Sequence, residues 1–231
     1  MNDFKQRMKI MQEKNKIAMG QMLVEPGQIE ANLERACQFI REAANKGCHI
    51  IVLPECMDLG WTHPGAKELA RPIPGKSTHI LCDVAREMNI YVVTGLTERS
   101  GEKVYNSAVI ISNTGDIVLT HRKINELDFA LDLYTIGDKI NTVESEFGRI
   151  GLAICADFRP EGDPIGNALG LMGSRLLLSP SSWAVEPDHD NERDPYGASW
   201  IIPYSKIARK YNMTVVGVTN VGPVVGGEWD G

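Results

Sequence analysis

The chain has 231 residues, 43% of them hydrophobic and 23% charged, with 22 glycines; this composition fits one ordinary globular domain with a sizeable core and excludes collagen-like, coiled-coil and disordered chains. The 24 basic residues against 30 acidic ones leave a formal charge of −6, and the basic residues are scattered, which argues against nucleic acid or an anionic membrane as a partner. No stretch reaches the roughly 20 apolar residues of a membrane span, and the opening MNDFKQRMKIMQEKNK lacks the apolar run of a signal peptide, so the expectation is a cytoplasmic protein.

In chain order, residues 1–15 are polar and helix-friendly and read as an extension outside the core. Residues 16–231 read as a single domain, with no repeat, low-complexity tract or long linker dividing them. A strand is predicted over Lys16–Leu23. Ile29, Leu33, Ala36, Ile40 and Ala43 then recur at helical spacing, with Gly47 placed as a C-terminal cap. The β-branched run His49–Leu53 predicts a strand buried on both faces. The pattern continues as a helix over Ser77–Met88, a strand over Ile90–Gly95, and strands near Val104–Ile111 and Ile117–Leu119 joined by the turn residues Ser112–Asp116. Next come a strand over Arg149–Ile154, a helix over Ile165–Met172, a strand over Leu176–Leu178, a helix over Trp200–Tyr211 and a strand over Thr214–Val218. The alternation predicts a layered α/β domain with a mixed sheet. The polar stretch Pro187–Pro195 suits a lid or rim, and equally a plain solvated loop.

Three polar residues each end an apolar run, where open α/β sheets place ligand-binding groups: Glu55 after Ile50–Pro54, Lys123 after Ile117–Arg122, and Cys155 after Gly151–Ile154. Singly, each has an ordinary structural explanation, a buried thiol or a solubilising charge at a strand end. Together they supply complementary chemistry. A thiol attacks only as thiolate, so Cys155 needs a base or a lowered pKa; Glu55 can take the proton and Lys123 can supply positive charge to the thiolate or to an oxyanion. The backbone N–H of Ala156, entering the next turn, is a second candidate oxyanion donor. The five cysteines, Cys37, Cys48, Cys56, Cys82 and Cys155, fit neither a disulfide framework nor a zinc motif. Cys56 reads as a buried thiol facing away from Glu55. A Cys–His hydrolase with one of His49, His63, His79, His121 or His189 as base stands as a second enzyme reading, and His121, two residues before Lys123, could equally be a pocket wall. There is no Walker or dinucleotide glycine pattern and no clustered metal ligands, so neither cofactor nor metal is expected.

The strings Leu53-Pro54-Glu55, His121-Arg122-Lys123-Ile124-Asn125 and Gly151-Leu152-Ala153-Ile154-Cys155-Ala156-Asp157-Phe158-Arg159-Pro160-Glu161 resemble, in this order, the signature blocks of the nitrilase superfamily of carbon–nitrogen hydrolases. The likeness runs on through Ser181-Ser182-Trp183 and Asp194-Pro195-Tyr196-Gly197 to Val218–Gly222. It implies a four-layer α-β-β-α sandwich with mixed sheets. It also implies metal-free hydrolysis of an amide, nitrile or N-carbamoyl compound through a cysteine thioester, with Glu55, Lys123 and Cys155 catalytic, and a homodimer or higher homo-oligomer paired through the helical face beside the nucleophile. A second acid after the lysine belongs to the pattern, and both Glu126 and Asp132 are candidates. Trp183 and Arg159 are candidate substrate contacts, although Arg159 could instead pair with Asp157 or Glu161, and Asp157 could hold the nucleophile turn. The family's further glycine-rich stretch and last strands do not follow Gly226–Gly231, so a chain short of the family pattern is expected. The alternative that goes with this is a catalytically silent binding or scaffold protein.

Overall fold

The computed structural model describes residues 15–159, 163–227 and 230. The predicted extension therefore lies, apart from Asn15, outside the described residues. Strands β1 (Ile17–Met19), β2 (Ile50–Val52), β3 (Tyr91–Ser100), β4 (Lys103–Ile111) and β5 (Ile117–Arg122) form one sheet in that order. The first three are parallel, and β4 and β5 fold back as successive antiparallel hairpins. Strands β6 (Thr142–Ser145), β7 (Gly148–Leu152), β8 (Leu176–Pro180) and β9 (Thr214–Val218) form the second sheet, with β6 antiparallel to β7 and the rest parallel. The helices are α1 (Ile29–Asn45), the single turn α2 (Ala66–Leu69), α3 (Lys76–Met88), α4 (Asp163–Leu171) and α5 (Ala198–Tyr211).

Strand alternation sorts the apolar residues into three layers of core. On β2, Ile50 and Val52 face the second sheet while Ile51 and Leu53 face the helices, because successive strand side chains point to opposite faces. Ile50, Val52, Val93, Ala108 and Ile110 meet Ile150, Leu152, Leu176 and Leu178 between the sheets. On the outer face of the first sheet, Leu33, Ala36 and Ile40 of α1 and Leu81, Val84 and Ala85 of α3 cover Ile51, Val92 and Val109. On the far side, Ile165 and Leu169 of α4 and Tyr204 and Ile207 of α5 cover Leu177. The order of layers is α-β-β-α, the architecture that the resemblance implied. Each fully buried Leu or Ile contributes on the order of 1.5–3 kcal/mol, so layer registry is strongly specified.

Most predicted elements recur with their ends moved by a residue or two. Gly47 has φ +72° just past α1, and its N–H bonds the Ala44 carbonyl at 2.8 Å, the left-handed ending that glycine tolerates best. Three expectations are corrected. The strand predicted over Lys16–Leu23 is regular only at Ile17–Met19, with Leu23 making an isolated bridge to Val221. The strand predicted to stop at Gly95 runs to Ser100, its polar end paired along β4, where buried Glu98 accepts from Ser107 and Arg122. The polar strand Thr142–Ser145 had no apolar signal and was not foreseen. Among the described residues no helix is long and apolar enough to cross a membrane.

Candidate active site

Strands β2, β3 and β5 run in one direction, so Glu55 and Lys123 emerge at the same end of the first sheet. Leu119, His121 and Lys123 alternate onto the inter-sheet face of β5 and its continuation. Arg122, between them, turns away onto Glu98, with Nε 2.8 Å from Oε2. From the facing sheet, β7 leads through Ala153 and Ile154 into the 3-10 turn Cys155–Phe158. Cys155 sits there with φ +44°, in the left-handed region that costs a non-glycine residue on the order of 1–3 kcal/mol. Phe158, packed edge-on to Tyr204, anchors the turn to the outer helices.

The three side chains converge. Glu55 is fully buried; its Oε1 accepts from Lys123 Nζ at 2.8 Å and Asn106 Nδ2 at 2.6 Å, and its Oε2 from the Ser182 N–H at 2.8 Å. The Cys155 thiol is close enough to the same carboxylate for the Glu55 charge to act on it. Gly95 makes this possible, since a Cβ there would stand 2.5 Å from the Glu55 Cα. Lys123 Nζ also pairs with Glu126 Oε2 at 3.5 Å and lies 5.1 Å from the centre of the Trp61 ring. Glu126 is therefore the second acid beside the lysine. Asp132, the alternative, is exposed and outside the cluster because the chain after Lys123 turns through a 3-10 segment at Asp128–Ala130.

The electrostatics follow from burying three ionisable groups together. Burial pulls the Lys123 ammonium down, but Glu126 and Glu55 more than reverse this and hold it well above the usual lysine range. Burial pushes the Cys155 thiol up, the Glu55 charge adds to the rise, and Lys123 and the Ser182 N–H oppose it only in part. Held up in this way the Cys155 thiol stays protonated, so a thiolate there calls for a base rather than a lowered pKa. Burial likewise pushes Glu126 up to about 7 against the pull of Lys123. Among the described residues, its oxygens accept no hydrogen bond beyond that ion pair.

A cavity of about 280 Å³ opens over Cys155 and Ala156, walled by Trp61, Arg159, Trp183 and Trp200. Trp183 and Trp200 stack 6.0 Å apart, and the Arg159 guanidinium lies over Trp183 at 5.8 Å. The pairing of Arg159 with Asp157 does not form, because both Asp157 oxygens are taken by other donors, and Glu161 is outside the described residues. The Pro187–Pro195 loop contributes His189, Asp194 and Pro195 to the wall. His121 turns its Nε2 onto Asp157 at 2.8 Å, which removes it from the role of base to Cys155. Cys56 is buried on the helical side, its Sγ 3.9 Å from the Tyr134 hydroxyl. Among the described residues no three His, Cys, Asp or Glu side chains gather into a metal-ligand set.

Residues 16–186 match the family profile described as carbon-nitrogen hydrolase. The chain belongs to the carbon-nitrogen hydrolase family. It is similar to the omega-amidase NIT2 of Xenopus tropicalis, 35% identical over 180 residues, which are 74% of this chain and 64% of that protein. To the omega-amidase NIT2 of Homo sapiens it is 36% identical over 162 residues, 66% of this chain and 58% of that one. The chain thus spans less than two thirds of the length of these curated relatives. An amidase of the nitrilase superfamily from Nesterenkonia sp. AN1 shares the fold at TM-score 0.77 and 17% identity, over 92% of this chain and 78% of that one. A mutant of that amidase carries the product of Michael addition of acrylamide at its active-site cysteine, with TM-score 0.77, 17% identity and coverage of 91% and 80%.

Proposed function

We propose that the chain hydrolyses the carbon–nitrogen bond of a small amide through a thioester on Cys155. The observation that carries this reading is the buried Glu55 carboxylate, which holds the Lys123 ammonium at 2.8 Å while its charge acts on the Cys155 thiol. Glu55 accepts the thiol proton as sulfur bonds to the amide carbonyl carbon, and Lys123 donates to the oxyanion, with the Ala156 N–H as the second donor. The protonated Glu55 then passes its proton to the nitrogen; the C–N bond breaks and ammonia leaves. Water attacks the thioester, Glu55 takes its proton, and the carboxylic acid departs as sulfur regains a hydrogen. Glu126, paired to Lys123, keeps the ammonium charged and aimed. Amide is preferred over nitrile or N-carbamoyl substrates because the relatives at 35% and 36% identity are named amidases.

The cavity wall supports a narrower reading. Among the described residues the Trp183 and Trp200 Nε1 and the His189 Nε2 are buried without partners and, with Arg159, line one cavity, a set suited to an acyl part ending in a hydrogen-bond acceptor. Glu186 and Asp194 stand exposed at the rim. Ammonia release from a panel of short amides with neutral and carboxylate ends tests both readings, with intact-mass detection of the acyl adduct on Cys155. Turnover with an adduct is expected; a folded chain that turns over none of the panel, with Cys155 unmodified, supports the silent scaffold instead. Self-association through the α4–α5 layer, where Leu171, Ile201 and Ile202 are 79%, 61% and 69% exposed, belongs to the same proposal. Light scattering of that preparation reads it, and a monomer overturns it.

A further inference from the structure

One buried carboxylate links the two chain segments that carry Cys155 and Lys123. Asp157 Oδ2 accepts from the Ile154 N–H at 2.9 Å and from His121 Nε2 at 2.8 Å. Its Oδ1 accepts from the Ile124 N–H at 3.1 Å and the Asn125 N–H at 2.9 Å. Ile154 immediately precedes Cys155, whereas His121, Ile124 and Asn125 flank Lys123 on both sides. Asn125 Nδ2 adds a bond back to the Ala156 carbonyl at 3.3 Å. Both Asp157 and His121 are buried, with side chains 0% and 3% exposed.

The arrangement fits a clamp better than a proton relay. Burial opposes the charge on Asp157, but His121 and the backbone donors outweigh it and hold the carboxyl below its usual range, so it is an acceptor only. The ring must then donate through Nε2–H, and its other nitrogen, Nδ1, has no partner among the described residues, so no chain of groups leads a proton onward. Hydrogen bonds to a charged acceptor are short and about twice as strong as neutral ones. They also cross from one sheet to the other, which neither backbone ladder does.

We infer that His121 and Asp157 are positioning residues that set the separation of the Cys155 thiol from the Lys123 ammonium by fastening the nucleophile turn to the end of β5. The inference rests on the proposed chemistry for its consequence and on geometry alone for its existence. Proper alignment of reacting groups is worth large factors in rate, and small displacements cost them.

The test compares His121→Gln, whose amide nitrogen can take the place of Nε2, with His121→Leu, which fills the space without a donor, and adds Asp157→Asn. The first readout needs no substrate: iodoacetamide labelling of Cys155, measured peptide by peptide against Cys37 and Cys82 in the same molecule. His121→Leu is expected to slow labelling of Cys155 about tenfold, leaving Cys37 and Cys82 unchanged, and His121→Gln to recover most of the rate. With a substrate amide, kcat should fall in the same proportion while KM stays within about twofold. Equal slowing in the Leu and Gln variants would reduce the pair to packing and overturn the inference, as would a His121→Leu protein that labels like the wild type. If Asp157→Asn or His121→Leu does not fold, His121→Ala against His121→Gln gives the same contrast. Absence of turnover on every amide with the labelling contrast intact would sink the proposed function and leave the clamp standing.

Discussion

The two walls of the candidate site are built to opposite specifications. On the side of the first sheet, the Glu55 carboxylate receives donors on both oxygens, and its neighbour Lys123 is fully buried between Glu55, Glu126 and Trp61. On the side of the second sheet, the Trp183 Nε1, Trp200 Nε1 and His189 Nε2 around the cavity are buried and have no partner among the described residues. Buried polar atoms cost about 1–3 kcal/mol each when left unpaired, so the first wall spends hydrogen bonds on holding itself in one geometry, and the second withholds them for a ligand. The difference separates positioning of the reacting groups from recognition, and a substitution in one wall should leave the other alone.

The largest effects belong to the first wall. Replacing Cys155 by Ala removes the proposed nucleophile and should lower turnover by about 10⁴-fold or more. Lys123→Ala should lower kcat by about 10²–10³-fold if the ammonium serves the oxyanion. It also leaves Glu55 and Glu126 as buried acids without their cation, so stability should drop by about 3–5 kcal/mol. Urea denaturation beside the kinetics checks both, and a Lys123→Ala protein as stable as the wild type would show that the first wall is not held together by this ion pair.

How far this contrast could be read from the sequence depends on which wall is considered. Glu55, Lys123 and Cys155 were legible because each interrupts an apolar run at its end, and the end of a strand in an open α/β sheet is where a polar group gains access to a cleft. Asn106 was not picked out, although the alternation of Asn106, Ala108 and Ile110 puts it on the inter-sheet face; a polar residue in that row was the available signal. The Ser182 donor is a backbone N–H, which carries no residue identity at all. The choice between Glu126 and Asp132 turned on the path of an irregular loop, which spacing does not set. The second wall was the least legible part. Trp200 fits the helical stripe of α5 as ordinary core, and only the approach of Ser182–Trp183 to the start of that helix makes it half of an indole stack.

The second wall should respond in KM. Trp200→Phe keeps the ring stack and deletes one N–H donor, so it should weaken binding of an acceptor-bearing amide by about 1–3 kcal/mol, read as KM, with kcat within a few-fold. An amide lacking the acceptor should be indifferent to the substitution. Steady-state kinetics on the two amides separates the cases. A kcat effect of the size of that from Lys123→Ala would mean that the two walls are not independent.

The smallest effect tests whether the first wall is as completely satisfied as its Glu55 half implies, because Glu126 is its weak point. Its carboxyl is raised from 4.5 to about 7, chiefly by burial. Between these two values the folded protein holds a proton that the unfolded chain has released, so this group's contribution to stability falls as pH rises from about 4.5 to 7 and is level above that. Each tenfold change in proton affinity is worth about 1.4 kcal/mol, which makes the loss on the order of 3 kcal/mol. Glu126→Gln carries no titrating proton and cannot lose it, so relative to the wild type it should gain stability steadily across this window and keep the gain at pH 8. Asp58, a second buried acid raised to about 6, titrates alike in both proteins and cancels in the difference. Chemical denaturation of the pair at pH 5, 6, 7 and 8 gives the curve directly. A flat difference would mean that Lys123 holds Glu126 ionised throughout, and that the first wall is as fully paired at Glu126 as it is at Glu55.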